Sequence, residues 1–378
     1  MASRRPASKP ATPAAAGNEA AIGHARAARL RYVSDLDPGY DRQRSGSGGF
    51  SYRNPAGKVV RDAGELQRIS ALAVPPAYTD VWICMHPRGH LQATGRDARS
   101  RKQYRYHAEW QRVRGEGKFD RIITFGEALP RLRRRLKRDL ALPGYPRDKV
   151  LAIAVAVMAA TLIRVGNDSY ARSNKSFGLT TLRNRHIAFL RGGRARLSFR
   201  GKGGLAHDIE LDDAKLGRAI RRIQQLPGQA LFQYRDDDGT LQPVDSGDVN
   251  DYLGESMGED FTAKDFRTWG GTLAAFQRFA ATPLPEPVRG DAPSETALRA
   301  VEKSVIADVA QVLGNTPAVC RKAYVDPSVL AGWRDGSLVR AANGARGARQ
   351  WEAATLKFLK RSRREARRKA RPAGKKPR

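Results

Sequence analysis

Hydrophobic and polar positions change rhythm twice along the chain. Residues 1–17 are Ala, Pro, Ser and Arg without periodicity, the pattern of a disordered arm, and 18–31 has the helix-forming composition of an ordered lead-in. From Tyr32 to about residue 106, short apolar runs alternate with Gly, Pro and Asn turns, which predicts strands. FSYRNPAGKVV at 50–60 predicts one hairpin, and VWICMHPRGHLQATG at 81–95 predicts another that turns at Pro87–Gly89. Residues 107–113 allow one or two helical turns, and GEGKFD at 115–120 reads as a linker.

Beyond the linker the period becomes helical. LPRLRRRLKRDL at 129–140 sets Leu132, Leu136 and Leu140 one turn apart as an apolar stripe, with six cations between Arg131 and Arg138. VLAIAVAVMAATLI at 150–163 is apolar on every face; its 14 residues are too few to cross a bilayer and predict a buried core helix. Three strand-like pieces follow: GLTTLR (178–183), HIAFL (186–190) and ARLSFRGKGG (195–204), with His207 and Ile209 alternating after the last. Helices continue from there, and the spacing of Trp351, Phe358 and Leu359 carries the fold to about residue 361. The stretch 360–378 holds 11 Lys and Arg against one Glu and reads as a flexible basic tail. No internal repeat is visible.

These patterns predict an α+β protein. It has an arm and lead-in at 1–30, a small β-rich N-terminal domain at 31–114, a larger and mostly helical domain at 118–361 holding a three-stranded sheet, and a basic tail at 362–378.

Composition adds a partner. Lys and Arg number 69 against 38 acids, a net charge of +31. Such an excess calls for a polyanion, nucleic acid before an anionic membrane surface. Cys84 and Cys320 are the two cysteines and lie far apart, which argues against a disulfide framework or zinc cluster and for a reducing, cytoplasmic compartment. Arg4 and Arg5 precede no apolar run, so no export signal is expected. A Walker-type phosphate loop is missing, which argues against ATP; neither metal nor cofactor is expected.

Candidate chemistry centres on Tyr324, nine residues after Asn315 in GNTPAVCRKAY (314–324). A phenol has a pKa near ~10 and must lose its proton as it attacks a phosphodiester. The phosphorane that forms needs fixed donors, for which the planar, permanently charged guanidinium is suited. The leaving 5′ oxygen needs a proton from a general acid. The chain offers Arg164 in LIRVG, Lys202 in FRGKGG, Arg267 in KDFRTWG, and Asn315 just before Thr316 and Pro317, the cap and first turn of a helix. Each has a plainer explanation: a cation at a helix end, a hairpin lysine, an arginine paired with Asp265, a turn asparagine and a core tyrosine.

Together, the ordered series LIRVG, FGLTTLRNRHI, FRGKGG, KDFRTWG and GNTPAVCRKAY resembles the type IB DNA topoisomerases, specifically the compact poxvirus-like group with bacterial members, over roughly residues 31–360. The resemblance implies phosphate-binding arginines at Arg164 and Arg267, a general-acid lysine at Lys202 and a nucleophile at Tyr324. Its fifth catalytic position is histidine in the poxvirus and eukaryotic enzymes and Asn315 here; an amide can donate to a phosphate oxygen but cannot carry charge or move protons. The implied activity is relaxation of supercoiled DNA through a 3′-phosphotyrosyl link, without ATP or metal, by a monomer closing as a clamp around double-stranded DNA in the cytoplasmic nucleoid. GRDARSRKQYRYH (95–107) is similar to the family's DNA-meeting segment, with Gln103, Tyr104 and Tyr106 as contacts; Tyr170 matches a position near the bound phosphates.

A tyrosine recombinase shares this catalytic set. It usually carries histidine where Lys264 stands and a helical upstream domain, whereas 32–106 reads as β. A basic architectural protein that only coats DNA would leave the five ordered motifs unexplained.

Overall fold

The computed structural model describes residues 22–23, 25–45, 49–98, 102–236, 238–258, 261–287 and 292–370, apart from the side chains of 113–117, 169–170, 173 and 370. The predicted arm at 1–17 and the tail from 371 lie outside the described residues. The chain divides into two compact units, Met1–Asp120 and Arg121–Arg378. Both helix and antiparallel sheet are present, so the protein is α+β.

The first unit is built on a five-stranded antiparallel sheet in the order β2-β1-β3-β4-β5. Its strands are β1 (Gly39–Arg44), β2 (Phe50–Arg53), β3 (Thr79–Cys84), β4 (Leu91–Arg96) and β5 (Lys102–Tyr106). The hairpin expected at 81–95 is β3–β4, in register at Trp82 with Thr94 and Ile83 with Ala93. The one expected within 50–60 is short: β2 pairs with β1, and past its end the chain folds back so that Arg53 meets Val59 in an antiparallel bridge, with Asn54 N–H donating to Lys58 O at 2.9 Å and Val60 N–H to Tyr52 O at 2.8 Å. Asn54 closes its turn, because its side chain accepts from the backbone N–H of Ala56 and Lys58. Helix α1 (Ala63–Ala71) then starts at Asp62, whose carboxylate accepts from the Glu65 N–H at 2.8 Å. This helix interrupts the stretch whose pattern predicts only strands and turns. Its Ile69 packs with Tyr40, Val81, Ile83 and Ala93 as the core of the sheet, while Ala25, Ala28, Leu30 and Trp110 form a second cluster.

Helix α2 (Ala108–Leu140) runs through the segment predicted as a linker. Gly115 and Gly117 each cost a helix roughly 1 kcal/mol relative to alanine. The Glu, Lys and Arg between and after them are good helix formers, and within the second unit α2 buries Ile122, Phe125, Leu129 and Leu132.

In the second unit, helix α3 (Arg147–Thr161) is buried nearly all round, as its apolar sequence predicts. After α4 (Asp168–Asn174) come β6 (Ile187–Phe189), β7 (Ala195–Arg200) and β8 (Ala206–Leu211), one antiparallel sheet in the order β6-β7-β8. GLTTLR, read as a strand, is instead a turn of 3-10 helix at Leu179–Thr181. Its backbone donors go to the loop after α3, with Leu179 N to Arg164 O at 2.8 Å and Thr180 N to Val165 O at 2.7 Å. The third strand is β8, from the His207/Ile209 alternation.

Helix α5 (Ala214–Gln224), the β9–β10 ribbon (Gln233–Arg235, Leu241–Pro243) and α6 (Ser246–Met257) lead to α7 (Ala263–Ala280), α8 (Glu295–Leu313) and α9 (Pro317–Ala323). Three more helices complete the unit: α10 (Pro327–Arg334), α11 (Ser337–Ala342) and α12 (Ala348–Ala370). Residues 361–370, expected in a flexible tail, belong to α12; Thr355, Phe358 and Leu359 are buried along it and anchor the basic end.

Candidate active site

Four chain segments meet around Tyr324, and each is delivered by a helix end. Helix α3 stops at Leu162, which takes a left-handed turn (φ +54°) and sends Arg164 back across the helix terminus. A side chain at Gly178 would prevent this: its Cβ would lie 2.6 Å from Arg164 O and 2.7 Å from Gly166, so this close crossing requires glycine. Arg267 comes from α7, which opens with a reciprocal cap between Thr262 and Asp265. Asp265 also pairs with Arg121 at 3.3 Å, so it is not the partner of Arg267.

Arg267 is 3% exposed. One of its terminal nitrogens donates to Leu162 O and the other to Leu313 O at 2.6 Å, while its Nε is buried with no hydrogen-bond partner among the described residues. Both carbonyls lie at C-terminal helix ends, the negative poles of α3 and α8, which is where a cation is favoured. A single guanidinium thus ties together the segments that carry Arg164 and Asn315. Burial, and then the like charge of Arg164, lower its pKa; a guanidinium nevertheless stays protonated.

Gly314 ends α8 in the left-handed conformation (φ +57°). Asn315 follows, and Thr316 with Pro317 starts α9 as the sequence predicts. Tyr324 is the residue at which that short helix ends. Its backbone lies directly on α7: a Cβ at Gly271 would sit 2.8 Å from Tyr324 O, and the Thr272 hydroxyl donates to that oxygen at 3.0 Å.

The side chains converge. Arg164 reaches the Tyr324 hydroxyl at 3.4 Å and donates its other terminal nitrogen to Asn315 Oδ1. The Arg267 guanidinium lies 5.1 Å from the centre of the Tyr324 ring. Burial alone would raise the phenol's pKa, but the charge and hydrogen bond of Arg267, followed by those of Arg164, outweigh it and hold the phenol below its ordinary value. The amide nitrogen of Asn315 is buried and has no hydrogen-bond partner among the described residues.

Lys202 stands apart. It lies exposed in the β7–β8 turn with Gly203 (φ +78°) and Gly204 (φ +80°), and among the described residues it has neither hydrogen bond nor ion pair. His207, which the sequence marks only by its alternation with Ile209, sits at the base of this hairpin. Its ring stacks on Phe199 at 4.8 Å, and a Cβ at Gly201 or Gly314 would lie within 2.5 Å of it. The imidazole therefore touches both the lysine hairpin and the turn before Asn315. Burial, then Arg267 and Arg164, lower its pKa. Thr272 and Gly271 gave no signal in the sequence beyond lying on the same helix as Arg267.

In the first unit, Tyr104 and Tyr106 face the same side of β5 with their rings 6.0 Å apart and nearly parallel. Tyr104 is 48% exposed, whereas Tyr106 packs against the Trp110 cluster. Gln103 donates to Asp97 at 3.0 Å. The side chain of Tyr170, on α4, lies outside the described residues.

Comparison with known proteins gives the same reading from a separate direction. The family model "Eukaryotic DNA topoisomerase I, catalytic core" matches residues 107–331, and "Bacterial DNA topoisomerase IB, N-terminal domain" matches 49–97. The DNA topoisomerase 1B of Acanthamoeba polyphaga mimivirus is 33% identical over 265 residues, covering 69% of this chain and 77% of the relative. That of vaccinia virus (strain Copenhagen) is 21% identical over 298 residues, 74% of this chain and 86% of the relative. The motifs, the convergence on Tyr324 and these matches agree: the chain belongs to the type IB DNA topoisomerases.

Proposed function

We propose that this topoisomerase relaxes supercoiled double-stranded DNA with Tyr324 as its nucleophile, without ATP or a metal ion. The observation that carries the reading is the buried phenol of Tyr324 held between Arg164 and Arg267. The phenol gives up its proton to solvent, and its oxygen attacks the phosphorus. As the new P–O bond forms, the bond to the 5′ oxygen breaks, and Lys202 protonates the departing hydroxyl. One phosphodiester replaces another, so the bond energy is kept in the 3′-phosphotyrosyl link and religation is the same step reversed.

Each remaining residue has a role at the equatorial oxygens. Arg164 and Arg267 neutralise the charge that grows there, and the unpartnered Asn315 amide supplies a neutral donor. Asn315 acts through electrostatics alone, since it cannot move a proton. Bound DNA, polyanionic and opposite in charge, draws the exposed Lys202 hairpin toward the departing 5′ oxygen. The exposed ring of Tyr104 serves DNA contact in the first unit, with Gln103 and Tyr106 shaping the strand beneath it. We assign the second unit to the catalytic fold shared by these enzymes and the tyrosine recombinases.

The direct test is relaxation of a supercoiled plasmid in a chelator without ATP, with trapping of the adduct in detergent. Wild-type protein relaxes the plasmid and forms the adduct, whereas Tyr324→Phe does neither. Residual adduct in that variant would sink the assignment.

A further inference from the structure

The basic C-terminal helix ends in an attachment to the nucleophile segment that DNA binding alone does not explain. Asp326, two residues after Tyr324, is completely buried. Its Oδ1 accepts from the Ser328 N–H at 2.9 Å and the Ser328 hydroxyl at 2.6 Å, capping α10. Its Oδ2 accepts from Arg363 of α12 at 2.6 Å. The Asp326 N–H donates to the Thr272 hydroxyl at 3.2 Å, and that hydroxyl in turn donates to Tyr324 O. A continuous path therefore runs from Arg363 through Asp326 and Thr272 to the backbone of Tyr324.

The helix that brings Arg363 is itself fixed. Phe358 packs on Phe276 with ring centres 5.4 Å apart and fills the space over Gly332, where a Cβ would lie 2.4 Å from it. Lys360 pairs with Glu127 on α2. Past Arg363 the side chains of Arg364, Arg367, Arg368 and Lys369 are exposed. Arg363 differs from these: its side chain is 24% exposed and its guanidinium meets a buried carboxylate.

We propose that Arg363 is a positioning residue for the cleavage reaction, holding Asp326, and through it the Tyr324 backbone, in the attacking register. Without Arg363 the buried Asp326 carboxylate has no counterion and must either take up a proton or turn toward solvent; either change loosens the 325–328 turn and with it the hold on Tyr324. A misplacement of about 1 Å at a reacting atom can cost on the order of 10²-fold in rate. The inference rests on Tyr324 being the nucleophile.

The test uses full-length protein and a nicked duplex on which cleavage cannot be reversed, with single-turnover rates at saturating DNA. DNA affinity is measured separately in a Tyr324→Phe background. Arg363→Ala is expected to slow cleavage at least about tenfold, with affinity essentially unchanged and Arg363→Lys recovering most of the rate. A lowered melting temperature with a normal rate per folded molecule would make the pair merely structural. A normal rate at saturation with weakened affinity would make Arg363 a DNA contact. Either result overturns the proposal. If Arg363→Ala does not fold, Asp326→Asn carries the same comparison, because its amide keeps the Ser328 contacts and weakens the tie to Arg363. Adduct formation by Tyr324→Phe would overturn the nucleophile assignment and this proposal with it, a result distinct from a normal cleavage rate in Arg363→Ala, which overturns the proposal alone.

Discussion

Arg267 and Lys202 carry the same charge in the same unit, yet one is 3% exposed across two helix termini and the other is exposed beside two glycines in a turn. Around Tyr324 the contacts are made within the protein: Arg164 touches both Asn315 and Tyr324, and Arg267 ties their segments together. Lys202, exposed in its turn, touches none of them among the described residues. An electrostatic cradle works best when its donors are fixed before charge develops, because reorganising them during reaction raises the barrier. A general acid gains from arriving with the substrate, because an ammonium buried beside two guanidiniums would tend to lose its proton.

That contrast can be broken most forcefully at Arg267. Arg267→Ala should lower cleavage by more than about 10³-fold. It should also destabilise the unit by on the order of 1–3 kcal/mol for each buried carbonyl left unpaired. Melting curves alongside single-turnover cleavage check both. Lys202→Ala is the opposite case. A loss of about 10²–10³ in cleavage rate is expected with no change in melting temperature, and a 5′-thiolate leaving group, which needs no proton, should restore the rate. If rescue fails, Lys202 is not the acid.

Asn315→Asp sharpens the contrast further. It keeps the shape and the contact with Arg164, but it removes the free amide donor and places an anion beside the phosphate. Cleavage should fall about 10²-fold while the melting temperature holds, as urea and thermal unfolding would show.

The smallest effect is in pH. His186 and His207 have pKa values lowered by burial and then by neighbouring arginines, Arg185 and Arg183 for the first, Arg267 and Arg164 for the second. The folded state therefore prefers both neutral, while the unfolded chain takes up protons below about 6.5. Their contribution is complete above that pH and is lost as pH falls below it. Melting temperature should drop from about pH 6.5 downward, and His207→Gln should flatten part of that slope.

Local features of the sequence accounted for much of this. Thr316 and Pro317 announced the start of α9, the apolar run at 150–163 became a buried helix, and Trp82 and Ile83 paired across a hairpin whose turn was visible. The misreadings have a common cause. GLTTLR has strand-like composition, but its donors are taken by the Arg164 loop. GEGKFD looks like a linker because glycine is locally unfavourable in a helix, an effect that the buried side of α2 overrides. Arg363 looked like one more cation in a tail, since nothing in a run of basic residues marks the one that faces a carboxylate 37 positions away.

By itself, then, the sequence determined residue chemistry and order: which side chains can hold a phosphate, which can attack it, and which turns and caps bracket them. Those properties are local, set by side-chain type and by neighbours within a helical turn. Only the tertiary structure decided that Arg267 binds the ends of α3 and α8, that Gly178 and Gly271 make room for the chains crossing them, and that the basic C-terminal helix is anchored beside the tyrosine. Those outcomes depend on which distant groups share one buried volume, where each polar atom must find a partner and no two backbones can occupy the same space.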